Sequence, residues 1–145
     1  MARFVLTRRS PLPAEACWQR LTDWPRHGDR VPFTRVRVVG AGGGRVGDTV
    51  LARTRFGPLV LDDPMELVEL TAPAAGHDGV CRLVKRGRVV RGWAVLTVRE
   101  PGPGRGTEVI WAEEISVAHL PRAADPLLAL SGRAVFGRVL AHLLA

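Results

Sequence analysis

The sequence predicts an α+β protein in which an antiparallel sheet of about seven strands lies against a long C-terminal helix. Apolar residues recur with period two through the middle of the chain, and glycine- and proline-rich turns separate these runs. The last part of the chain changes to helical spacing. A sheet of this kind does not close by itself, so we expect the helix to cover its concave face. A ligand cavity is expected between the two layers.

The first part of the chain contains one strand and one or two short helices. A run typical of a β-strand covers 2–9. Pro13 suits the first turn of a helix, because the N–H that it lacks would be unpaired there. Helical spacing over 14–24 indicates one buried face, and Pro25 ends this helix. A second short helix before Val31 is left as an alternative.

Six further strands are predicted, and they cover 33–40, 46–56, 59–70, 80–86, 89–100 and 107–118. The glycine-rich segment 41–45 is interpreted as a hairpin turn, since a phosphate-binding loop would be followed by a helix. Asp125 is the expected N-cap of the terminal helix, with Pro126 as its first residue and the helix body over 127–144.

Two adjacent acids precede a proline in the strand at 59–70. Pro64 lacks a backbone donor, so a bulge or a sheet edge is expected there. Asp62 and Asp63 point to opposite faces of a regular strand and therefore do not converge on one ligand. We interpret them as solvated acids.

Length and composition exclude several classes of protein. A chain of 145 residues is expected to form one domain, 1–145. No apolar run approaches the ~18 residues that cross a bilayer, and no signal peptide is recognised at the start, so we expect a cytoplasmic protein. Cys17 and Cys81 lie in apolar stretches and are expected to be buried thiols. The sequence predicts no metal site and no cofactor.

The net charge of +7 comes almost entirely from arginine, since Lys85 is the only lysine among the 21 basic residues. Tyrosine and asparagine are absent, a pattern that a GC-rich genome produces. The arginines are scattered along the sequence and are not interleaved with aromatic residues as in typical nucleic-acid binders. Nucleic acid is therefore not the expected partner.

Four stretches resemble the START, birch-pollen-allergen and aromatic-polyketide-cyclase superfamily (SRPBCC), and they are 13–24, Val46-Gly47-Asp48-Thr49, 92–98 and 106–115. The resemblance spans essentially the whole chain and is greatest to actinobacterial proteins of the polyketide cyclase/dehydrase-like branch. It implies the helix-grip fold, a curved seven-stranded antiparallel sheet wrapped around a long C-terminal helix, with one or two short helices between strands 1 and 2. It implies no single reaction, because the superfamily includes carriers, receptors and cyclases.

Pairing across the last hairpin indicates which residues face the interior. The row that contains Trp111 and Glu113 is the more apolar one, so we expect it to point inward beside Ala94 and Leu96. A buried carboxyl group has a raised pKa, which suits proton transfer and makes Glu113 the main candidate for a catalytic or binding role. The alternatives are an inward Glu114, a carboxylate tied to a structural arginine, and a Trp111 that serves only as core packing.

The partner of this carboxylate depends on the strand register before it. A three-residue turn at 86–88 would point Arg82 inward, whereas a two-residue turn would point in the alternate residues Cys81, Leu83 and Lys85. Both registers remain open. His27 follows the first helix, in a segment that borders the end of the cavity in helix-grip proteins, and is a further candidate.

The leading functional hypothesis is the binding of a hydrophobic small molecule (a lipid, polyketide or aromatic metabolite) in a cavity of at least about 300 Å³. The expected ligand contacts are Phe56, Met65, Leu83, Ala94, Leu96, Trp111, Glu113 and Val135. The alternative is a polyketide aromatase/cyclase with Glu113 as base and His27 or Arg82 as electrophilic partner. A basic module that binds a partner or RNA is the third hypothesis, and the apolar excess of the terminal helix leaves a homodimer open.

Overall fold

The structure is a computed structural model that describes residues 1–40 and 42–145. Its strands are β1 (Ala2–Ser10), β2 (Thr34–Val39), β3 (Thr49–Phe56), β4 (Leu59–Thr71), β5 (Gly79–Arg86), β6 (Val90–Arg99) and β7 (Thr107–Val117). Its helices are α1 (Ala14–Leu21), α2 (Asp125–Leu143) and two short 3-10 helices, Trp24–Gly28 and Arg122–Ala124. The predicted α+β architecture and element order are confirmed.

The strands form one antiparallel sheet in the order β1-β7-β6-β5-β4-β3-β2. The helix α2 packs against β1, and α1 packs against β6 and β7. The other half of the sheet is covered less completely, since the 3-10 helix Trp24–Gly28 is the main element over β2. This uneven cover leaves space between the layers on the side of β2, β3 and β4.

Two glycines allow the close contacts that this arrangement needs. A Cβ atom on Gly132 of α2 would lie 2.5 Å from Cε1 of Phe4, so the missing side chain lets the helix approach the ring on β1. Gly92 of β6 has a φ of +133°, and a Cβ atom there would lie 1.8 Å from the carbonyl oxygen of Glu114. Only glycine fits at either position, because any side chain would overlap its neighbour.

The structure changes two of the predicted strand starts on the β2–β4 side. Phe33 belongs to a turn and has a φ of +60°, so β2 begins one residue later. The strand predicted to begin at Val46 begins at Thr49 instead, because Asp48 closes the preceding turn by accepting hydrogen bonds from the backbone N–H groups of Gly44 and Arg45. Of the turn predicted at 41–45, Ala41 lies outside the described residues.

The strand β4 runs without interruption through Pro64, which lies just outside the pairing of β4 with β5 that begins at Met65. The predicted edge is therefore present, while the register irregularity falls between Leu67 and Glu69. At the terminal helix the expected N-cap is wrong. Ala124 is the N-cap, and Asp125, the first helical residue, pairs instead with the amino group of Met1 at 2.7 Å.

The main core lies between the inner face of the sheet and the helices α1 and α2. Its largest fully buried side chains include Leu21, Leu96 and Leu140. Both cysteines are free and buried, and burial raises the pKa of the Cys81 thiol to about 12. This thiol therefore stays protonated at neutral pH and behaves as a small apolar side chain. None of the described helices is both long and apolar enough to cross a membrane.

Candidate functional site

A cavity of about 170 Å³ lies between the inner face of β2–β7 and the covering helices. Its apolar and aromatic wall is formed by Trp24, Val31, Val36, Val50, Ala52, Leu61, Met65, Leu83, Val90, Ala94, Leu96, Trp111 and Phe136. Its polar lining consists of His27, Thr34, Thr54, Asp63, Lys85 and Glu113. The site is thus a mostly apolar pocket with a few polar groups, which is the usual composition of a small-molecule site.

Three charged side chains meet in this cavity and form what we call the buried ion cluster: Asp63, Lys85 and Glu113. The ammonium group of Lys85 donates to Oδ2 of Asp63 at 2.6 Å and lies 3.1 Å from Oε1 of Glu113. The indole N–H of Trp111 donates to Oε2 of Glu113 at 3.1 Å. Only 2% of the side-chain surface of Lys85 and of Glu113 is exposed, so the two charges are paired in a largely water-free environment.

Small residues on β6 bring Lys85 and Glu113 together. Lys85 on β5 lies opposite Gly92, and Glu113 on β7 lies opposite Ala94, with β6 between the two strands. Because Gly92 has no side chain and Ala94 only a methyl group, the longer side chains can meet across the strand that separates them. The space that the sequence predicts beside Glu113 is used by Lys85.

Burial and charge act on this cluster in opposite directions. Burial raises the pKa of Glu113 above its ordinary range, and the charge of Lys85 only partly offsets the rise. For Lys85, burial by itself lowers the pKa, but the carboxylates of Glu113 and Asp63 outweigh it and hold the pKa above its usual value. Lys85 is therefore a charged hydrogen-bond donor at neutral pH, with no unprotonated amine to act as a nucleophile.

One oxygen of the cluster has no protein partner. Oδ1 of Asp63 is buried and accepts no hydrogen bond from any of the described residues, whereas Oδ2 is held by Lys85. Both oxygens of Glu113 already have donors, in Lys85 and Trp111. A buried acceptor without a donor is unfavourable, so a bound molecule that donates a hydrogen bond to Asp63 would remove that cost.

His27 lies at the wall of the cavity between two indole rings. Its ring centroid is 5.0 Å from that of Trp24 and 5.7 Å from that of Trp111. Burial lowers the pKa of His27 to about 4, so the ring is neutral at pH 7. Its Nε2–H donates to the carbonyl oxygen of Leu21 at 2.7 Å, which leaves Nδ1 as an acceptor. The ring cannot then serve as a cationic electrophile at neutral pH.

The structure places most of the predicted site residues around the cavity. The residues that line it are Met65, Leu83, Ala94, Leu96, Trp111, Glu113 and His27. The alternative in which Glu114 points inward is wrong, because this carboxylate accepts from the indole of Trp93 at 2.7 Å on the opposite face. The register question is also resolved. Arg86 pairs with Arg91, so four residues separate the two paired positions. Because this number is even, as in the two-residue turn, the alternate residues Cys81, Leu83 and Lys85 point inward.

Three predicted residues do not reach the cavity. Arg82 lies on the outer face of β5, where its guanidinium pairs with Glu69 at 3.3 Å. Phe56 continues the inward row of β3 but stands beyond the end of the cavity and packs on Phe33. Val135 is turned away from the cavity because α2 lies over β1, and the helix contributes the adjacent Phe136 instead.

The sequence does not predict Asp63 as a site residue, and it leaves Lys85 as one of two alternatives. Asp63 was interpreted as solvated, yet the strand β4 points it into the cavity while its neighbour Asp62 points outward to Arg53. One signal for Lys85 was present in the sequence, because it is the only lysine in a chain that otherwise uses arginine. An ammonium group is a compact point charge with three donors, whereas a guanidinium is a larger planar group.

The cavity is smaller than the sequence-based hypothesis required. Its volume of about 170 Å³ is below the lower limit of about 300 Å³ that was set for a ligand pocket. The space is nevertheless sufficient for a small ligand, because an apolar cavity of about 150 Å³ is large enough to hold benzene. The volume restricts the size of a ligand that fits without rearrangement to about one aromatic ring.

No family model and no curated protein matches the sequence of this chain. Solved structures do match its fold. A START superfamily protein from Mycobacterium smegmatis aligns with a TM-score of 0.73 at 11% identity, covering 99% of this chain and 97% of that one. Ara h 8.0201 aligns with a TM-score of 0.59 at 12% identity, covering 98% and 97%.

A third similar structure is a point mutant of norcoclaurine synthase from Thalictrum, described in complex with a transition-state analogue. It aligns with a TM-score of 0.62 at 14% identity, and the alignment covers 98% of this chain and 92% of the synthase. Together with the seven-stranded antiparallel sheet and the long C-terminal helix, these alignments establish the helix-grip fold shared by START and birch-pollen-allergen-like proteins.

Proposed function

We propose that the protein binds a small aromatic or similarly compact apolar molecule that carries one hydrogen-bond donor. The observation that carries this proposal is the unpartnered Oδ1 of Asp63 in a cavity otherwise walled by apolar side chains. The ring of the ligand would lie among Trp24, Trp111 and Phe136. Its donor, a hydroxyl or an ammonium group, would reach Asp63.

The size of the cavity supports a small ligand rather than a lipid or an extended polyketide. Aromatic side chains on three sides favour a flat ring, since stacked and tilted ring contacts add about 0.5–1.5 kcal/mol to the burial of apolar area. Lys85 and Trp111 use their donors on Asp63 and Glu113. The cluster therefore offers the ligand an acceptor and no free donor. The indole N–H of Trp24, which also lines the cavity, is a second buried group without a partner among the described residues.

Calorimetric titration with phenol and with toluene tests this function, because the two probes have nearly the same size and differ in one donor. A hydrogen bond to a charged acceptor contributes about 1.5–3 kcal/mol, so we expect phenol to bind roughly tenfold or more tightly than toluene. The variant Asp63→Asn should reduce this preference strongly. The matched variant Asp62→Asn changes the adjacent outward acid and should leave it unaltered.

A second pair of variants tests the place of binding. Ala94 lines the cavity, whereas Ala112, on the neighbouring strand β7, is not among its lining residues. Ala94→Leu should abolish binding of both probes while the protein stays folded by circular dichroism, and Ala112→Leu should bind as the wild type does. Equal affinity for phenol and toluene in the wild type would refute the role of Asp63, and unaltered binding in Ala94→Leu would refute the site.

The aromatase/cyclase alternative has weaker support. One similar structure is an enzyme, and Glu113 is a buried carboxyl with a raised pKa, which is common at catalytic sites. However, a poly-β-keto chain is larger than this cavity. Arg82 lies on the other face of the sheet, His27 is neutral, and no tyrosine can supply an acid. A catalysed proton transfer on a one-ring substrate, lost in Glu113→Gln, would restore this alternative.

A further inference from the structure

The outer face of β2 and β3 carries four arginines with one acidic neighbour. We call this the arginine face, and it consists of Arg35, Arg37, Arg53 and Arg55. Arg35 pairs directly with Arg53 across the two strands, an arrangement that is unfavourable because the like charges repel each other. Asp62 pairs with Arg53 at 2.7 Å, and no other ion pair of the described residues involves this face.

Exposed apolar side chains lie where this face ends at the β3–β4 turn, with Phe56 and Leu59 on the cavity side of the sheet and Val60 on the arginine side. We call them the apolar rim, which consists of Phe33, Phe56, Leu59 and Val60. The first three are 66%, 64% and 70% exposed, and the rings of Phe33 and Phe56 pack edge to face with centroids 5.3 Å apart. Large apolar side chains clustered on a surface mark an interaction site more often than isolated ones do.

The backbone at Phe33 gives this rim a second unusual feature. Phe33 has a φ of +60°, a conformation that is rare and strained for a bulky residue. Its carbonyl oxygen accepts from the backbone N–H of Arg55 at 2.9 Å, which ties the turn to the arginine face. The strained turn holds an aromatic ring out in solvent, where it contributes little to the core, so a role outside the fold is indicated.

We propose that the arginine face and the apolar rim together form a docking surface for membranes that contain anionic phospholipids. Arginines on a surface are attracted to the negative potential of such a membrane, and each basic residue changes the affinity by about fivefold. The apolar rim would enter the boundary between headgroups and acyl chains, where its exposed area is removed from water.

The aliphatic part of the rim favours a membrane over a nucleic acid. Single-stranded nucleic acids also bind basic surfaces, but they use aromatic rings on which bases stack. Leu59 and Val60 offer no such ring, and they extend the apolar surface beyond Phe33 and Phe56. Insertion into a lipid interface uses all four side chains.

The same end of the sheet contains the most exposed part of the cavity wall. Leu61 lines the cavity and is 40% exposed, while the other lining residues are buried or half-buried. Leu61 follows the rim residues directly in β4 and pairs with Thr54, which also lines the cavity. Docking would therefore turn this end of the cavity toward the membrane. Docking itself does not depend on the ligand proposed above.

The test measures binding of the full chain to sedimented vesicles of phosphatidylcholine alone and of phosphatidylcholine mixed with phosphatidylglycerol in equal parts. Binding is expected only to the mixed vesicles and should weaken as salt is added, because the charges are exposed. Arg35→Gln combined with Arg37→Gln should weaken it on the order of 25-fold. The control, Arg122→Gln with Arg138→Gln, has the same net charge but alters exposed residues of the C-terminal helical segment.

Phe33→Asn separates docking from folding. Asparagine tolerates the left-handed conformation that strains phenylalanine, so this variant should be at least as stable as the wild type toward urea. It should nevertheless bind the mixed vesicles several-fold more weakly. Unchanged vesicle binding in this variant would overturn the role of the rim.

Two further outcomes would overturn the proposal. One is the absence of binding to the mixed vesicles at low salt. The other is a loss of equal size in the Arg35/Arg37 and the Arg122/Arg138 variants, which would indicate a response to net charge alone. Binding of a single-stranded oligonucleotide through Arg35 and Arg37, with none to vesicles, would assign this surface to nucleic acid instead.

Discussion

Two consecutive aspartates of β4 form ion pairs of nearly the same length in opposite surroundings. Asp62 lies 2.7 Å from Arg53 on the outer face, where 41% of each side chain is exposed. Asp63 lies 2.6 Å from Lys85 inside the cavity, where 2% of the lysine is exposed. The alternation of a β-strand is enough to separate them, because successive side chains point to opposite faces.

The length of an ion pair therefore does not determine its energetic role. Water screens the outer pair, so the attraction between Asp62 and Arg53 is weak. The buried ion cluster lacks this screening. Its charges depend on one another, and the removal of one partner leaves the others unpaired in an apolar interior. The inner pair therefore cannot lose a single partner without a large cost in stability, while the outer pair forms part of a surface.

The largest expected effect follows from the removal of the buried cation. Lys85→Met leaves Asp63 and Glu113 without their shared donor, and we expect the free energy of unfolding to fall by about 3–5 kcal/mol. Urea unfolding followed by tryptophan fluorescence measures this loss. The matched variant Arg53→Met on the outer face should cost only a small fraction of it. Similar losses in the two variants would contradict the difference in strength between the buried and the exposed ion pair.

His27 tests whether the cavity excludes water as strongly as the ion cluster suggests. Its pKa is about 4 in the folded protein and near 6.5 in the unfolded chain, so the unfolded chain binds more protons between these values. The contribution of His27 to the free energy of unfolding is fully present above pH 6.5 and is lost as pH falls through about 4. The total loss is about 3 kcal/mol at most.

The measurement for His27 is the difference in unfolding free energy between the wild type and His27→Gln at several pH values. The glutamine keeps a donor for the carbonyl of Leu21 but does not titrate. As pH falls from 6.5 to 4, the unfolding free energy of the wild type should fall relative to that of His27→Gln. A pH-independent difference for His27→Gln would show that the ring is hydrated.

Replacing the whole buried ion cluster separates the cost of an unpaired charge from the contribution of the cluster itself. Buried charged clusters exchanged for apolar residues of similar volume often leave stability unchanged or increase it. We therefore expect the combination Lys85→Met, Asp63→Leu and Glu113→Leu to recover most of the stability that Lys85→Met loses, within about 1 kcal/mol of the wild type. The same protein should no longer prefer phenol to toluene. No recovery of stability would indicate a structural rather than a binding role for the cluster.

The smallest effect is expected at the outer aspartate. Asp62→Asn should leave the urea midpoint almost unchanged, and added salt should remove any difference that remains, because the pair with Arg53 is screened. The corresponding inner change, Asp63→Asn, should shift the midpoint clearly and should do so at high salt as well. A salt-insensitive effect of Asp62→Asn would contradict the assignment of this pair to the solvated face.

Local patterning in the sequence predicts the architecture and much of the inner face. Period-two patterning, the turn residues and the terminal helical spacing predicted seven strands and a long C-terminal helix, and all are present. Cross-strand pairing in the last hairpin also placed Trp111 and Glu113 inside beside Ala94. These features depend on local periodicity and on pairing between strands that are adjacent in sequence, which a single sequence encodes directly.

The chemistry of the site depends on contacts that form only in the folded protein. The meeting of Lys85 with Asp63 and Glu113 requires the four strands β4 to β7 in one register, and the number of residues between the paired Arg86 and Arg91 could not be derived from the sequence. The same dependence puts Arg82 on the outer face, because a shift of one residue turns a side chain to the other face of its strand. A helix turns by about 100° per residue, so the position of α2 over β1 brings Phe136 rather than Val135 to the cavity. Burial, and with it the pKa of Glu113 and of His27, depends on how the helices cover the sheet, and that is a property of packing rather than of local sequence.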